Sequence, residues 1–382
     1  MFTFLFWLLA FLSLYSYFFY PLCLKLLVWL RERSGELQDE SQKNAPTSLT
    51  LIITAYNEEE RIAEKLENTL ELDFNSGSLE IIVASDCSSD RTDEIVKQFE
   101  DRGVRLVRAQ ERLGKENAQL TAIRESNGDV IVFSDTATKI PEDGLTKLVE
   151  YFADPKIGAV SSEDRFVSQS GEVAGEGAYV KYEMWLRGEE SKLAGLIGLS
   201  GSFFAARREV CAEWDIHSPS DFNTALNCAR LGLVAVTAPD VLGFYQDLKD
   251  PAKEYQRKIR TVIRGITALS RHAEVLNPFT FGVFSFQVIS HKLMRWLVPW
   301  FLIALFLTTA IVANQGSIYA LALIAQIGFY IVAIAAHYNH KLQNNSVVKI
   351  IYFFVQVNIA LFDASCRYLA GTRMTTWTPS AR

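Results

Sequence analysis

A chain of 382 residues that is 49% hydrophobic and 12% aromatic, with a net charge of −6, has room for one soluble domain of about 200 to 250 residues plus membrane segments. The acidic balance argues against a nucleic-acid partner, which would call for a basic domain to meet phosphates. Cys23, Cys87, Cys211, Cys228 and Cys366 form no CxxC pair and no metal-ligand spacing, and an odd count in a mostly cytoplasmic chain argues for free thiols.

Residues 2 to 24 carry no charge, a run long enough to cross a hydrocarbon core of roughly 30 Å as a helix. No basic residue precedes it, and Lys25, Arg31 and Arg33 follow at once. The positive-inside rule therefore puts Met1 outside and the next domain in the cytoplasm. A cleaved signal peptide would show the opposite charge order and a small-residue cleavage site.

After a polar linker from Gly35 to Ser48, the strand-like run Leu49 to Ala55 ends in Tyr56-Asn57-Glu58, and a helical pattern continues to about Leu72. Glu80 to Asp86, Val104 to Ala109 and Val130 to Asp135 read as further strands, with helices from Asp90 and from Lys115 between them. Short apolar strands alternating with helices predict a parallel sheet covered on both faces. In such sheets ligands bind beyond the carboxyl ends of the strands, where Tyr56, Asp86 and Asp135 fall. No GxxxxGK[ST] loop and no GxGxxG fingerprint occurs, which removes the main support for an ATPase or a dinucleotide enzyme. Taken singly, Asp86 and Asp135 suit turns and Lys115 suits a solvated helix face; two acids at the ends of successive strands, with a lysine between them, point to a site.

Farther on, Asp221 in Ser218-Pro219-Ser220-Asp221-Phe222 precedes an apolar helical run to Leu233. It suits either a helix N-cap or a carboxylate projecting into a cleft. Arg257, Arg260, Arg264 and Arg271 recur at helical spacing, with Ile259, Val262, Ile263, Ile266 and Leu269 on the rest of the surface. This is a basic amphipathic helix, suited to anionic headgroups or to phosphate. Residues 297 to 336 are free of charge around Asn314-Gln315-Gly316-Ser317, which predicts two spans joined by a tight external turn. Lys349 and Asp363 bound a last apolar run, 350 to 362, too short to cross and therefore expected to be re-entrant or interfacial, with the C-terminus inside.

The chain resembles the family 2 glycosyltransferases, membrane-bound inverting enzymes that use a nucleotide-sugar donor. Thr54-Ala55-Tyr56-Asn57-Glu58 is similar to the family's first-strand motif, Ser85 to Thr92 to its DDGSxDxT segment, and Gly114-Lys115-Glu116-Asn117-Ala118 to its GKxxA segment. Gly201 to Arg208 resembles the stretch lining the acceptor side, Ser220-Asp221 the acidic motif that supplies the base, and Gln256 to Arg260 the QxxRW motif. The resemblance implies a GT-A, Rossmann-like α/β nucleotide-diphospho-sugar transferase domain with N-terminal and C-terminal transmembrane helices. It implies that Tyr56, Asn57, Glu58, Asp86, Lys115 and Asp135 bind the donor, that Gly201, Gln256, Arg257 and Arg260 meet acceptor and diphosphate, and that Asp221 is the catalytic base. It also implies Mg2+ or Mn2+ at Asp135, although the family's DxD reads Asp135-Thr136-Ala137 here and lacks its second acid. QxxRW likewise departs, with its arginine one place late and no tryptophan.

The expected organisation is an anchor over 1–33, a cytoplasmic transferase domain over 48–250, interfacial amphipathic helices over 251–290, a transmembrane hairpin over 291–338, and an interfacial helix with a cytoplasmic tail over 346–382. The expected function is sugar transfer from a UDP-sugar-type donor to a growing polysaccharide at the inner face of the plasma membrane. Membrane lipids are the expected surroundings. Transfer of one sugar to a lipid acceptor such as ceramide or a polyprenyl phosphate is the alternative within enzymes, and an inactive membrane scaffold is the alternative outside them.

Overall fold

The structure, a computed structural model, describes residues 1–34, 46–75, 77–167, 178–246 and 251–374. In chain order the helices and strands are α1 (Phe2–Leu14), α2 (Tyr20–Ser34), β1 (Ser48–Ala55), α3 (Ile62–Leu70), β2 (Ser78–Ser85), α4 (Thr92–Lys97), β3 (Val104–Arg108), α5 (Lys115–Glu125), β4 (Val130–Asp135) and α6 (Gly144–Tyr151). They continue with β5 (Ile157–Val167), α7 (Ala178–Leu193), β6 (Phe203–Arg207), α8 (Ser220–Arg230), β7 (Val234–Gln246), α9 (Pro251–Arg271), α10 (Pro278–Gln287), α11 (Met294–Val312), α12 (Ser317–Tyr338) and α13 (Ser346–Leu369). The chain divides into two compact units, one built from Met1–Cys23, Glu254–Ile263 and Val288–Arg373, the other from Leu24–Lys253 and Arg264–Gln287.

The second unit holds a seven-stranded sheet in the order β3-β2-β1-β4-β6-β5-β7. Residues of β1 and β4 alternate between two buried clusters. Leu49, Leu51, Ile53, Val130 and Val132 pack with Ile62, Leu66, Leu145, Leu148 and Phe152 of α3, α6 and the turn after it. Ile52, Ile131 and Phe133 pack with Ala118, Ala122, Trp214, Ala225 and Cys228 on the α5 and α8 side. A strand buried on both faces is apolar at most positions, which is why these strands read as near-continuous runs.

The expectation of a parallel sheet holds for β1 to β4 and fails beyond them. β6 is antiparallel to both β4 and β5, while β5 and β7 are parallel. The run Phe203-Phe204-Ala205-Ala206 is apolar throughout and buried, so its composition encodes burial and carries no direction.

In the first unit α1 packs along α11, and α13 packs against both α11 and α12. Few charges are available here, and hydroxyl and amide groups join the helices instead: the hydroxyls of Tyr15 and Ser290 share a hydrogen bond of 2.9 Å, and Gln326 Nε2 donates to Thr309 Oγ1 at 2.9 Å. The expected turn is present between α11 and α12. For residues 350 to 362 the helix is longer than the apolar run suggested. Lys349 and Asp363 lie inside the 24-residue helix α13, about 36 Å long at 1.5 Å per residue, rather than at its ends. Among the described residues four helical stretches, Phe2–Ser34, Pro278–Gln315, Ser317–Tyr338 and Ser346–Leu369, are long and apolar enough to cross a membrane. This is a membrane protein. All five cysteines are free, as their spacing predicted.

Candidate active site

The strand order reverses between β1 and β4, because β2 and β3 lie on one side of β1 and β4 on the other. That switch point opens a crevice at the carboxyl ends of the strands. Thr54 pairs in register with Asp135, and Ala55 with Ser85, so Asp86 and Asp135 flank the start of the Tyr56 loop.

Asp86 is buried, and its Oδ1 accepts from Gly114 N at 3.1 Å while Oδ2 has no hydrogen-bond partner. Desolvation pushes its carboxyl above the usual range, against the Gly114 hydrogen bond and the nearby charge of Arg112. Arg112 lies with its guanidinium 3.9 Å from the centre of the Tyr56 ring. An aromatic plane and a guanidinium together make a surface on which a nucleobase can stack, with the buried Asp86 carboxylate beneath them. Arg112 was not among the residues singled out from the sequence; its place two residues before the tight Gly114 turn, where φ is 110°, was the available signal.

Helix α5 begins at Lys115, whose Nζ donates to Asp135 Oδ1 at 2.5 Å and to the Gly201 carbonyl at 2.9 Å. Lys115 is buried at 8% exposure, so the solvated-charge reading fails. Asp221 lies inside the first turn of α8, whose N-cap position is Pro219, so the capping role does not apply to it either. A Cβ built on Gly201 would lie 3.5 Å from Asp221 Oδ2. Among the described residues no group donates a hydrogen bond to the Asp221 carboxylate. Lys115 thus joins Asp135 to the Gly201 carbonyl, and the Asp221 carboxylate lies beside Gly201 on the side where a larger residue would carry its Cβ.

The Gly201 loop is held from below by Asp164 on β5, which the sequence reading passed over. Ser200 Oγ donates to both Asp164 oxygens at 2.7 Å and Ser202 Oγ donates to Oδ1 at 2.5 Å. Ser200 N donates to Ser161 Oγ at 2.7 Å, and Arg187 Nη2 donates to the same hydroxyl at 2.9 Å. Alternating serines flanking a glycine were the legible hint of a cradle.

Residues 50–214 match the family model described as Glycosyl transferase family 2. Residues 50–214 are thus of family 2 glycosyltransferase type. Over 175 residues it is 30% identical to poly-beta-1,6-N-acetyl-D-glucosamine synthase of Staphylococcus aureus, covering 44% of this chain and 42% of that protein. Over 198 residues it is 26% identical to beta-monoglucosyldiacylglycerol synthase of Trichormus variabilis, covering 50% of this chain and again 42% of the relative. The chain thus spans less than half the length of these relatives. A solved structure of the mannosyltransferase PcManGT from Pyrobaculum calidifontis, in complex with GDP-Man and Mn2+, superposes with a TM-score of 0.71 at 24% identity, covering 98% of this chain and 100% of that one. The fold is GT-A. The family match ends before Asp221, so the base motif rests on the local geometry.

Within this domain Asn57 is exposed and Glu58 is buried. Asn57 Oδ1 accepts from Ser89 N at 2.8 Å, and Glu58 N donates to Thr92 Oγ1 at 2.8 Å, which ties the Tyr56 loop to the Ser85–Thr92 loop. Glu58 is buried and lies 3.6 Å from Arg61. Gln256, Arg257 and Arg260 fall in the stretch of α9 that groups with the membrane helices. Part of the basic face of α9 is spent on protein acids. Arg264 pairs with Glu116 at 2.6 Å and Arg271 with Asp215 at 2.6 Å. Burial alone would raise the Asp215 carboxyl, but hydrogen bonds from Arg271, Ser218 and the His217 backbone, with the charge of Arg271, pull it down to about 2.

As for a cation, Ala137 removes the second acid of the DxD motif, and no cluster of three or more acids, histidines or cysteines is arranged for a metal among the described residues. Asp135 has one oxygen on Lys115 and is 24% exposed in its side chain. A single accessible carboxylate fits Mg2+ or Mn2+ when the donor's phosphates and water complete the shell.

Proposed function

We propose that this chain transfers a sugar from a nucleotide-diphospho-sugar to a glycan acceptor at the membrane, with inversion at the anomeric carbon. The observation that carries the reading is the Asp221 carboxylate, which accepts no hydrogen bond among the described residues and lies beside Gly201, whose carbonyl is held by the same Lys115 that pairs with Asp135. Asp221 takes the proton of an acceptor hydroxyl as its oxygen bonds to the anomeric carbon, the carbon–phosphate-oxygen bond breaks, and the nucleoside diphosphate leaves. Tyr56, Arg112 and Asp86 hold the base and ribose. Lys115 meets the charge that develops on the diphosphate. Asp135 would hold a divalent cation, which supplies further charge neutralisation when bound.

Similarity to a polysaccharide synthase supports a growing chain as acceptor, and similarity to a glycolipid synthase supports a lipid acceptor as the second reading. The positive-inside flanks of α2 support a cytoplasmic catalytic domain at the plasma membrane. An intact Asp135, Lys115 and Asp221 speak for an enzyme over an inactive scaffold. The test is product analysis by mass spectrometry after incubation with a panel of UDP- and GDP-sugars and membrane extract. A ladder of products supports polymer extension and a single glycolipid supports the second reading. No donor turnover, including hydrolysis, with any sugar would overturn both.

A further inference from the structure

Helix α8 starts at Ser220 behind Pro219, a residue with no side chain able to cap the free N–H groups of a first turn. The cap comes from another helix. Glu116 Oε1 accepts from Ser220 N at 3.3 Å, and the carboxylate is at 2% exposure, so its negative charge faces the positive end of α8 from inside the protein. The same oxygen is 2.6 Å from Arg264 Nη2 on α9, itself at 9% exposure. Trp214 Nε1 donates to the Glu116 carbonyl at 3.1 Å and holds the same turn of α5. Neither Glu116 Oε2 nor Arg264 Nη2 has a hydrogen-bond partner, so Oε1 carries the hydrogen bond from Ser220 and an ion pair with Arg264.

Glu116 directly follows Lys115, and Ser220 directly precedes Asp221. One turn of α5 therefore fixes both walls of the site: Lys115 holds Asp135 and the Gly201 carbonyl, and Glu116 sets the rotation of the turn from which Asp221 projects. We propose that the Glu116–Arg264 pair is a positioning device for Asp221. Its removal lets the first turn of α8 relax and the carboxylate drift from the acceptor oxygen, while the donor side, held by Lys115, stays in place. This rests on Asp221 as the base.

The test compares Glu116→Gln, Arg264→Met, Arg264→Lys and the double variant Glu116→Gln/Arg264→Met in detergent-solubilised full-length protein. Glu116→Gln keeps an acceptor for Ser220 N and loses the charge pair. Each single neutral variant should lower kcat on the order of 10- to 100-fold, the scale of a misplaced catalytic group, with calorimetric affinity for UDP or GDP unchanged within about twofold. Each leaves one buried charge unmatched, so the double variant should lose less than the product of the singles. Arg264→Lys keeps the charge and should retain most of the turnover, which serves if the neutral variants fold poorly. Parental kcat in folded Glu116→Gln and Arg264→Met would overturn the inference. So would a nucleotide affinity that falls in proportion to kcat, because the effect would then lie on the donor side. Asp221→Asn run alongside separates the two ideas: if it retains turnover the base assignment fails, and if it is inactive while the Glu116 and Arg264 variants are fully active, only the positioning role fails.

Discussion

Lys115 Nζ lies 2.5 Å from Asp135 Oδ1, so the one acid left of the DxD motif is already matched by a cation from the protein. The same ammonium donates to Gly201, which makes Lys115 the joint between donor and acceptor sides. Lys115→Met should weaken UDP or GDP binding by roughly 10- to 100-fold, the size of one charge-assisted hydrogen bond of about 1.5 to 3 kcal/mol. Unchanged affinity in calorimetry would remove Lys115 from the donor site.

Asp86 should contribute similarly to nucleotide affinity, and Asp86→Ala should lose about 1.5 to 3 kcal/mol of it. Its carboxyl is raised by burial, and only the ionised form accepts hydrogen bonds on both oxygens. Affinity should therefore fall as pH drops toward the raised value, and the fall should begin above the range of an ordinary aspartate. An Asp86→Ala protein with the parental pH profile would assign the titration to another group.

Asp221→Asn should reduce turnover on the order of 10² to 10⁴, because an amide accepts no proton. Nucleotide binding and thermal stability should stay near parental values, since Asp221 caps nothing. A folded variant that still transferred sugar at close to the parental rate would require another carboxylate as base.

Lys65 on α3 is buried at 3% exposure, with Nζ donating to Ser134 Oγ at 2.8 Å and to the Thr138 carbonyl at 2.5 Å. Desolvation lowers it to about 7, against the opposing charge of Asp135. Below pH 7 the folded state carries a buried charge that the unfolded state keeps in water. Between about 7 and 10.5 the unfolded lysine holds a proton that the folded one has lost, so this contribution to stability improves as pH rises. Relative to the parent, Lys65→Met should be at its most stable at pH 6 and lose ground by pH 9, as read by thermal unfolding in detergent. A difference independent of pH would show that Lys65 stays charged.

If α13 crosses together with the other three candidate spans, Met1 and Arg382 lie on the same side, opposite the glycosyltransferase domain. A reporter fused after Arg382 should match one fused before Met1, and one inserted at Asn314 should match both. A C-terminal reporter on the domain's side would return α13 to the interface.

The strand-to-loop junctions at Tyr56, Asp86 and Asp135 were legible in the sequence because continuous apolar runs mark doubly buried strands and their ends mark the crevice. The charge-free spans were legible for the same reason, burial written as composition. The direction of β6 was not, since Phe203 to Ala206 encode only burial. Nor was the length of α13, where Lys349 and Asp363 interrupt composition without interrupting the helix. The partners of Lys115, Glu116 and Asp164 could not be read from the chain at all. Each lies 20 or more residues from the group it holds, as Glu116 does from Ser220 and Arg264, and only the folded chain, which brings α5 to α8 and to Arg264, decides which charge is matched and which, as at Asp221, is left free to act.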